Sequence, residues 1–320
     1  MEIPKTVKTI AEDIKTMKIR GAGRIARAAA QALKIAAEES PYNTPNEFKD
    51  YIKQVAYLLL HTRPTAVSLP NAVRYIIKRF VKELPNFATF NDMREFIITT
   101  ADNFIKRSEQ AVARIGEIGA RRIRDGDVLL THCNSSAAIS VILTAFRQGK
   151  SIEVYATETR PRFQGHITAK TLGNAGVPVT LICDNAVRYF MNEIDKVIVG
   201  ADAIAANGAV VNKIGTSVIA LSAHEARTRV YVAAESYKFS PETMAGELIP
   251  IEERSPSEVI NPKKLAEMKN VKVRNPAFDI TPPEYIDVIV TEKGIIPPQA
   301  AIIILQEEFG WVDISDLLEF

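Results

Sequence analysis

Through the first 120 or so positions, apolar residues recur every three to four places, the spacing of amphipathic helices. The stretch from Arg24 to Glu39 (RIARAAAQALKIAAEE) is Ala-rich and carries this period, and so do Leu69–Leu84 and Asn91–Arg124. Asn46–His61 opens after Thr44 and Pro45, a capping residue followed by a proline suited to a first helical turn. Short Pro-bearing linkers at Ser40–Pro45 and Leu84–Phe90 separate these segments. From residue 127 the pattern becomes short β-branched apolar runs: DVLLTHC (127–133), IEVYATE (152–158), VPVTLICD (177–184), KVIVGAD (196–202) and RVYVAAES (229–236). Helical patterns at 135–148, 163–175, 185–193 and 215–226 fall between them. Strands apolar on both faces, alternating with helices, predict a parallel doubly wound sheet covered on both sides. Val271–Val273 and Ile286–Val290 are candidates to extend it. The expectation is an α/β protein with an all-helical domain over 1–124 and a Rossmann-like domain over 125–320.

Composition narrows the class. The chain has 320 residues, 47% of them hydrophobic and 24% charged, enough for two globular cores. That excludes a disordered polymer, a collagen-like repeat and a small disulfide-stapled module. There is no run of 18 apolar residues, and the charged N-terminus lacks the apolar centre of a secretory signal, so a cytoplasmic protein is expected. The overall charge of +2 hides an asymmetry: residues 1–125 hold 22 Lys+Arg against 14 Asp+Glu. These cations are spread through helices, without zinc-finger spacing or an RNA-binding aromatic motif, which favours anionic small molecules over nucleic acid.

Open parallel sheets bind ligands beyond the carboxyl ends of their strands. Here those ends carry Cys133-Asn134-Ser135-Ser136, Glu158-Thr159-Arg160, Asp184-Asn185, Asp202 and Glu235 to Lys238. Cys133 stands between a strand and a helix start, where the helix dipole favours thiolate and the first amides could hold a phosphate. Cys183 lies in an apolar run and reads as core or as support behind the site; its pairing with Cys133 is left open. Asp202, among Ile198, Val199 and Ile204, reads as an acid kept protonated by apolar surroundings. Arg20-Gly21-Ala22-Gly23, Thr62-Arg63-Pro64-Thr65, Asn212-Lys213 and Lys238 supply candidate anion contacts, although each singly fits a solvated surface charge. Histidines at 61, 132, 166 and 224 are scattered, with no nucleophile elbow and no metal-binding spacing, so serine hydrolysis and metal catalysis are disfavoured.

Five motifs occur together: RGAG (20–23), RPTAVSL (63–69), LTHCNSSAA (130–138), ETRPRFQG (158–165) and GADAIAANGAVVNKIGTS (200–217). In this order they resemble a superfamily of methylthioribose-1-phosphate isomerases, archaeal ribose-1,5-bisphosphate isomerases and regulatory subunits of the translation initiation guanine-exchange factor. Gly23, Ser135-Ser136 and Ala203 stand where the methylthioribose enzymes typically have other residues, and the regulatory subunits lack the cysteine–aspartate pair; both departures favour the bisphosphate branch. That resemblance implies Cys133 and Asp202 as catalytic residues. It implies Arg20, Gly21, Ala22, Gly23, Arg63, Ser135, Ser136, Ala137, Asn212, Lys213 and Lys238 as contacts to a doubly phosphorylated pentose. Arg160 and Gln164 are weaker candidates, because their motif could instead order the loop. No metal or redox cofactor is implied. A role in AMP salvage, AMP as a candidate activator, and a dimer-based homohexamer follow from the same resemblance, with the apolar piece 298–311 as a contributor to assembly or a buried final helix. An isomerase of another sugar 1-phosphate and a non-catalytic regulatory subunit are the alternatives.

Overall fold

The computed structural model describes residues 2–63 and 67–310, which form two compact units divided between residues 110 and 111. The first contains helices α1 (Lys5–Lys15), α2 (Ala22–Glu38), α3 (Pro45–Leu60), α4 (Ser68–Glu83) and most of α5 (Phe90–Ala120). The alanines of α2 explain its packing: Ala26, Ala29, Ala30, Ala32 and Ala36 are buried, small enough to admit α4 closely. Leu69, Val73, Ile76 and Phe80 of α4 fill that interface, and Phe48 of α3 meets Phe80 edge-on with centroids 6.2 Å apart. Thr44 caps α3 as expected, accepting the Glu47 N–H, with Pro45 in the first turn. The last turns of α5 belong to the second unit, where Ile115 and Ala120 join its core. Residues of α5 thus contribute to both units.

In the second unit the elements follow as β1 (Val128–Thr131), α6 (Ser136–Arg147), β2 (Glu153–Thr157), α7 (Gln164–Asn174), β3 (Val179–Ile182), α8 (Val187–Phe190), β4 (Lys196–Gly200), β5 (Ala203–Ile204), β6 (Val210–Lys213), α9 (Thr216–Ala226), β7 (Arg229–Ala233), α10 (Pro262–Ala266), β8 (Phe278–Thr281), β9 (Val288–Thr291), β10 (Gly294–Ile296) and α11 (Ala301–Phe309). A seven-stranded sheet runs β10-β9-β7-β4-β1-β2-β3, parallel except for β10. Register pairs Leu130 with Tyr155 and Ile198 with Tyr231. Alternation along the strands serves two cores: Leu129, Val154 and Ile198 pack with α6, whereas Leu130, Val197 and Val199 pack with α9. The doubly wound reading of the sequence holds.

Three details differ from the sequence reading. Val271–Val273 forms no strand. A second, antiparallel sheet β5-β6-β8 takes its place, with β8 beginning at Phe278. Its β5–β6 turn carries Asn207-Gly208, with Gly208 at φ 86 and the Asn207 side chain accepting the Ala209 N–H at 3.0 Å. The 185–193 segment is a four-residue helix between 3-10 turns rather than one helix. Ile286–Val290 does extend the main sheet, as β9. The final helix α11 buries Ala301, Ile304 and Leu305 in the core; Trp311 of the 298–311 piece lies outside the described residues. Among the described residues no helix is long and apolar enough to cross a membrane.

Beside the β1–β4 pair, Lys196 and Asp127 form a buried ion pair whose carboxylate also accepts the Arg124 N–H at 2.6 Å. Removing one member strands a charge in a dry site. Asp127→Ala is expected to lower unfolding free energy by about 3 kcal/mol or more; a denaturant titration showing a loss below about 1 kcal/mol would contradict this.

Candidate active site

The sheet reverses its winding direction between β1 and β4, the place where doubly wound sheets open a crevice at their strand ends. Cys133 follows β1 and Asp202 follows β4, so both stand at that switch point. Cys133 has φ 65, a left-handed conformation that residues with a Cβ rarely adopt. Two threonines hold it there. Thr159 Oγ1 accepts the Cys133 N–H at 2.9 Å, and Thr168 Oγ1 donates to its carbonyl at 2.7 Å. Thr159 is itself left-handed (φ 60), and the Asp184 carboxylate accepts the N–H groups of Thr159 and Arg160, each at 2.7 Å. The ends of β1, β2 and β3 are thereby cross-braced.

His132 adds a tie from β1 to the loop after β6. Its Nε2 donates to the Ile214 carbonyl at 2.9 Å, because a carbonyl can only accept, and the Thr157 hydroxyl then donates to Nδ1 at 2.6 Å. Burial pushes its pKa down to about 4, so this imidazole is neutral at pH 7. Gly215, at φ 103, brings its backbone against the ring: a Cβ there would lie 3.2 Å from Cε1.

Asp202 donates its backbone N–H to the Val211 carbonyl at 2.9 Å, which seats it beside β6 and its Asn212 and Lys213. Asn212 donates through Nδ2 to Thr216 Oγ1 at 3.0 Å, and Lys213 Nζ donates to the Ala277 carbonyl at 3.0 Å and lies 4.5 Å from the Phe278 ring centroid. The charges interact. Burial pushes the Cys133 thiol up to about 11, the Asp202 carboxylate acts in the same direction, and Lys213, Arg254 and the Asn134 N–H oppose it. Burial, with Arg254 next in weight, lowers the Lys213 pKa. Cys133 precedes the Ser135 cap of α6 by two residues, and burial outweighs the opposing influence of Lys213, Arg254 and the Asn134 N–H on its thiol.

The remaining sequence candidates divide. Ser135 caps α6, accepting the Ala138 N–H at 3.3 Å, and Gly200 of β4 lies so close that a Cβ would meet Ser135 Oγ at 2.3 Å. Ser136 and Ala137 form the first turn of α6, whose amides have no intrahelical acceptor. Lys238 is buried and paired with Glu235 at 2.6 Å; burial would raise the Glu235 pKa, but Lys238, together with hydrogen bonds from the backbone and Tyr237, brings the net direction down. Arg160 donates to the Val259 carbonyl at 3.2 Å and lies over Phe163, a loop-ordering arrangement. Gln164 opens α7, and its Oε1 is buried without a hydrogen-bond partner. Cys183 is an exposed free thiol rather than core, because β3 is an edge strand with Leu181 46% exposed; Cys133 is also free.

In the helical unit, Gly21 has φ 92 and starts α2, with Ala22 and Gly23 in the first turn and Arg20 exposed before it. Ser68 at the start of α4 donates to the Ala22 carbonyl at 2.9 Å, which brings the starts of α4 and α2 together. Pro64 and Thr65 lie outside the described residues. Arg254 escaped the sequence reading; its one signal is a basic residue inside the acidic run IEER, in a stretch without periodicity. Among the described residues no group of three His, Cys, Asp or Glu side chains could hold a metal ion.

Taken with the switch-point topology, the fold is that of an α/β protein whose strand ends bring together a thiol, a carboxylate and buried cations. The chain matches the Initiation factor 2 subunit family over residues 18–298 and belongs to that family. It is 58% identical to a ribose 1,5-bisphosphate isomerase of Pyrococcus furiosus, across 97% of this chain and 96% of that one. It is 56% identical to the Thermococcus kodakarensis protein of the same description, across 97% of each. A crystal structure of Pyrococcus horikoshii translation initiation factor eIF-2B superposes with a TM-score of 0.78 at 33% identity, covering 94% of this chain and all of that one.

Two pH effects follow. In a Cys183→Ser background, iodoacetamide alkylation of Cys133 without ligand should rise with a midpoint near pH 11, the value that burial imposes; a midpoint below about 9, the ordinary range for an exposed thiol, would contradict the dry site. His132 binds its proton more weakly folded (about 4) than unfolded (6.5), so the stability it contributes is full above about pH 6.5 and lost as pH falls towards 4. His132→Gln should flatten that part of the pH–stability curve, measured by urea unfolding at about pH 4.5 and 7.5.

Proposed function

We propose that this chain is an isomerase converting α-D-ribose 1,5-bisphosphate to D-ribulose 1,5-bisphosphate. The observation that carries the reading is the 58% identity, over nearly the whole chain, to a protein so described, together with Cys133 and Asp202 at the switch point of this chain's sheet. Arg20 to Gly23, Arg63, Ser135 to Ala137, Asn212, Lys213 and Lys238 are proposed to hold the two phosphates and the sugar, with Arg160 and Gln164 more peripheral.

The 1-phosphate prevents simple opening to a free aldehyde, so the ring oxygen must be protonated first. Moving one proton from the Cys133 thiol to the Asp202 carboxylate arms both groups at once. Asp202 then protonates the ring oxygen and the C1–O bond breaks. The Cys133 thiolate takes the C2 proton, which leaves an enol still phosphorylated at C1. Cys133 returns that proton to C1 while Asp202 accepts the 2-hydroxyl proton, giving the ketone and restoring the armed thiolate and acid. Lys213 and Arg254 favour the sulfur anion that this cycle needs. The product is the substrate of ribulose-bisphosphate carboxylase. We therefore infer a cytoplasmic role in AMP salvage upstream of that enzyme, with AMP as an activator and a dimer-based homohexamer as the assembly.

Phosphorus and carbon NMR of the protein with α-ribose 1,5-bisphosphate tests this directly. Ribulose 1,5-bisphosphate should form with the wild type, while Cys133→Ser should lose turnover by at least about a thousandfold yet retain ligand shifts. Binding without turnover in the wild type would favour a regulatory subunit, and turnover of methylthioribose 1-phosphate alone would favour that isomerase.

A further inference from the structure

Arg254 has no role in the scheme above beyond its charge, yet many contacts fix it in the site. Residues 252–255 are laced to 275–277: Arg254 donates its N–H to the Asn275 carbonyl at 2.9 Å, Ala277 donates to the Glu252 carbonyl at 2.8 Å, and Asn275 Nδ2 donates to the Ser255 carbonyl at 2.9 Å. Further along, Glu258 pairs with Arg162 of the loop after β2. The Arg254 side chain is only 12% exposed; its Nε meets Glu252 at 3.2 Å, and its Cζ lies 6.0 Å from the Phe278 ring centroid. That same ring carries Lys213 Nζ at 4.5 Å. Two cations therefore gather at one aromatic ring in largely dry surroundings, and Arg254 presses the Lys213 proton off. Glu252 balances only part of this charge, since burial and Arg254 still lower the Lys213 pKa, and guanidinium and ammonium groups so placed bind phosphate.

We propose that Arg254 and Lys213, gathered on the Phe278 ring, form a subsite for a phosphate monoester dianion lying next to Cys133. Identifying that group with the 1-phosphate, the ester nearest the reacting carbons, rests on the isomerase reading; the anion subsite itself does not. Arg254 contributes a planar fork that fixes the ester's orientation, and Lys213 contributes a point charge. The same two cations bear on the sulfur, so occupancy of the subsite and access to Cys133 are linked.

The test follows Cys133 alkylation at about pH 9, where a fraction of the thiol is ionised, in the Cys183→Ser protein as inorganic phosphate is added. Phosphate should protect the thiol, Arg254→Met should raise the half-protecting concentration at least tenfold, and Arg254→Lys should recover part of the loss. No protection in the wild type, or a half-protecting concentration in Arg254→Met within twofold of it, would overturn the subsite. Thermal unfolding of the variants guards against misfolding, and Arg254→Lys serves as the readout if the methionine variant does not fold. In parallel, affinity for α-ribose 1,5-bisphosphate is measured in a Cys133→Ser background, where Arg254→Met should cost at least tenfold. Phosphate protection that depends on Arg254, in a protein that neither binds nor turns over the bisphosphate, would refute the isomerase reading and leave the subsite standing. Turnover with both Arg254→Met measurements unchanged would do the reverse.

Discussion

The left-handed peptide at Cys133 can exist only because hydroxyl groups from elsewhere in the chain hold both of its polar groups. Such a conformation is unfavourable by roughly 1–2 kcal/mol for a residue with a side chain, and Thr159 and Thr168 supply the bonds that fix it. Thr159 occupies a left-handed conformation of its own, which Asp184 holds from the end of β3. Gly165 completes the brace, since a Cβ there would collide with the Thr157 carbonyl at 1.7 Å. The sulfur's position therefore depends on three successive strand ends, and a change at any of them reaches Cys133.

The electrostatics of the crevice follow from how dry that position is. Desolvation is the largest influence on the Cys133 thiol and also on His132 and Lys213, and in each case it favours the neutral form. His132 accepts this outcome, because its two hydrogen bonds suit a neutral ring. For Cys133 and Lys213 the same dryness keeps the site poised, because the cations that favour a sulfur anion are already in place beside it.

Much of this could be read along the chain. The five apolar runs became β1, β2, β3, β4 and β7, because central strands such as β1, β4 and β7, buried on both faces, admit few polar residues. The helices of the first unit carried their period plainly. The β5–β6–β8 sheet was not read, although Asn207-Gly208 between apolar pairs is a hairpin signal, because β5 spans only Ala203–Ile204 and β8 lies far beyond β6 in the chain. Cys183 was misjudged because an edge strand and a central strand share the same local composition. Arg254 was invisible because it lies in an irregular stretch where neither period nor motif marks a site.

Neighbouring residues were enough to specify the helical first part, the alternating strands and helices of the second, and the placement of Cys133 and Asp202 at strand ends. These are local properties, since periodicity and chain order need no distant partner. Three further features emerged with folding: burial pushes the Cys133 thiol's pKa up, Arg254 shares the Phe278 ring with Lys213, and Cys183 faces outward. Burial and charge pairing depend on residues far apart in the chain, and desolvation has no value until the fold has excluded the water.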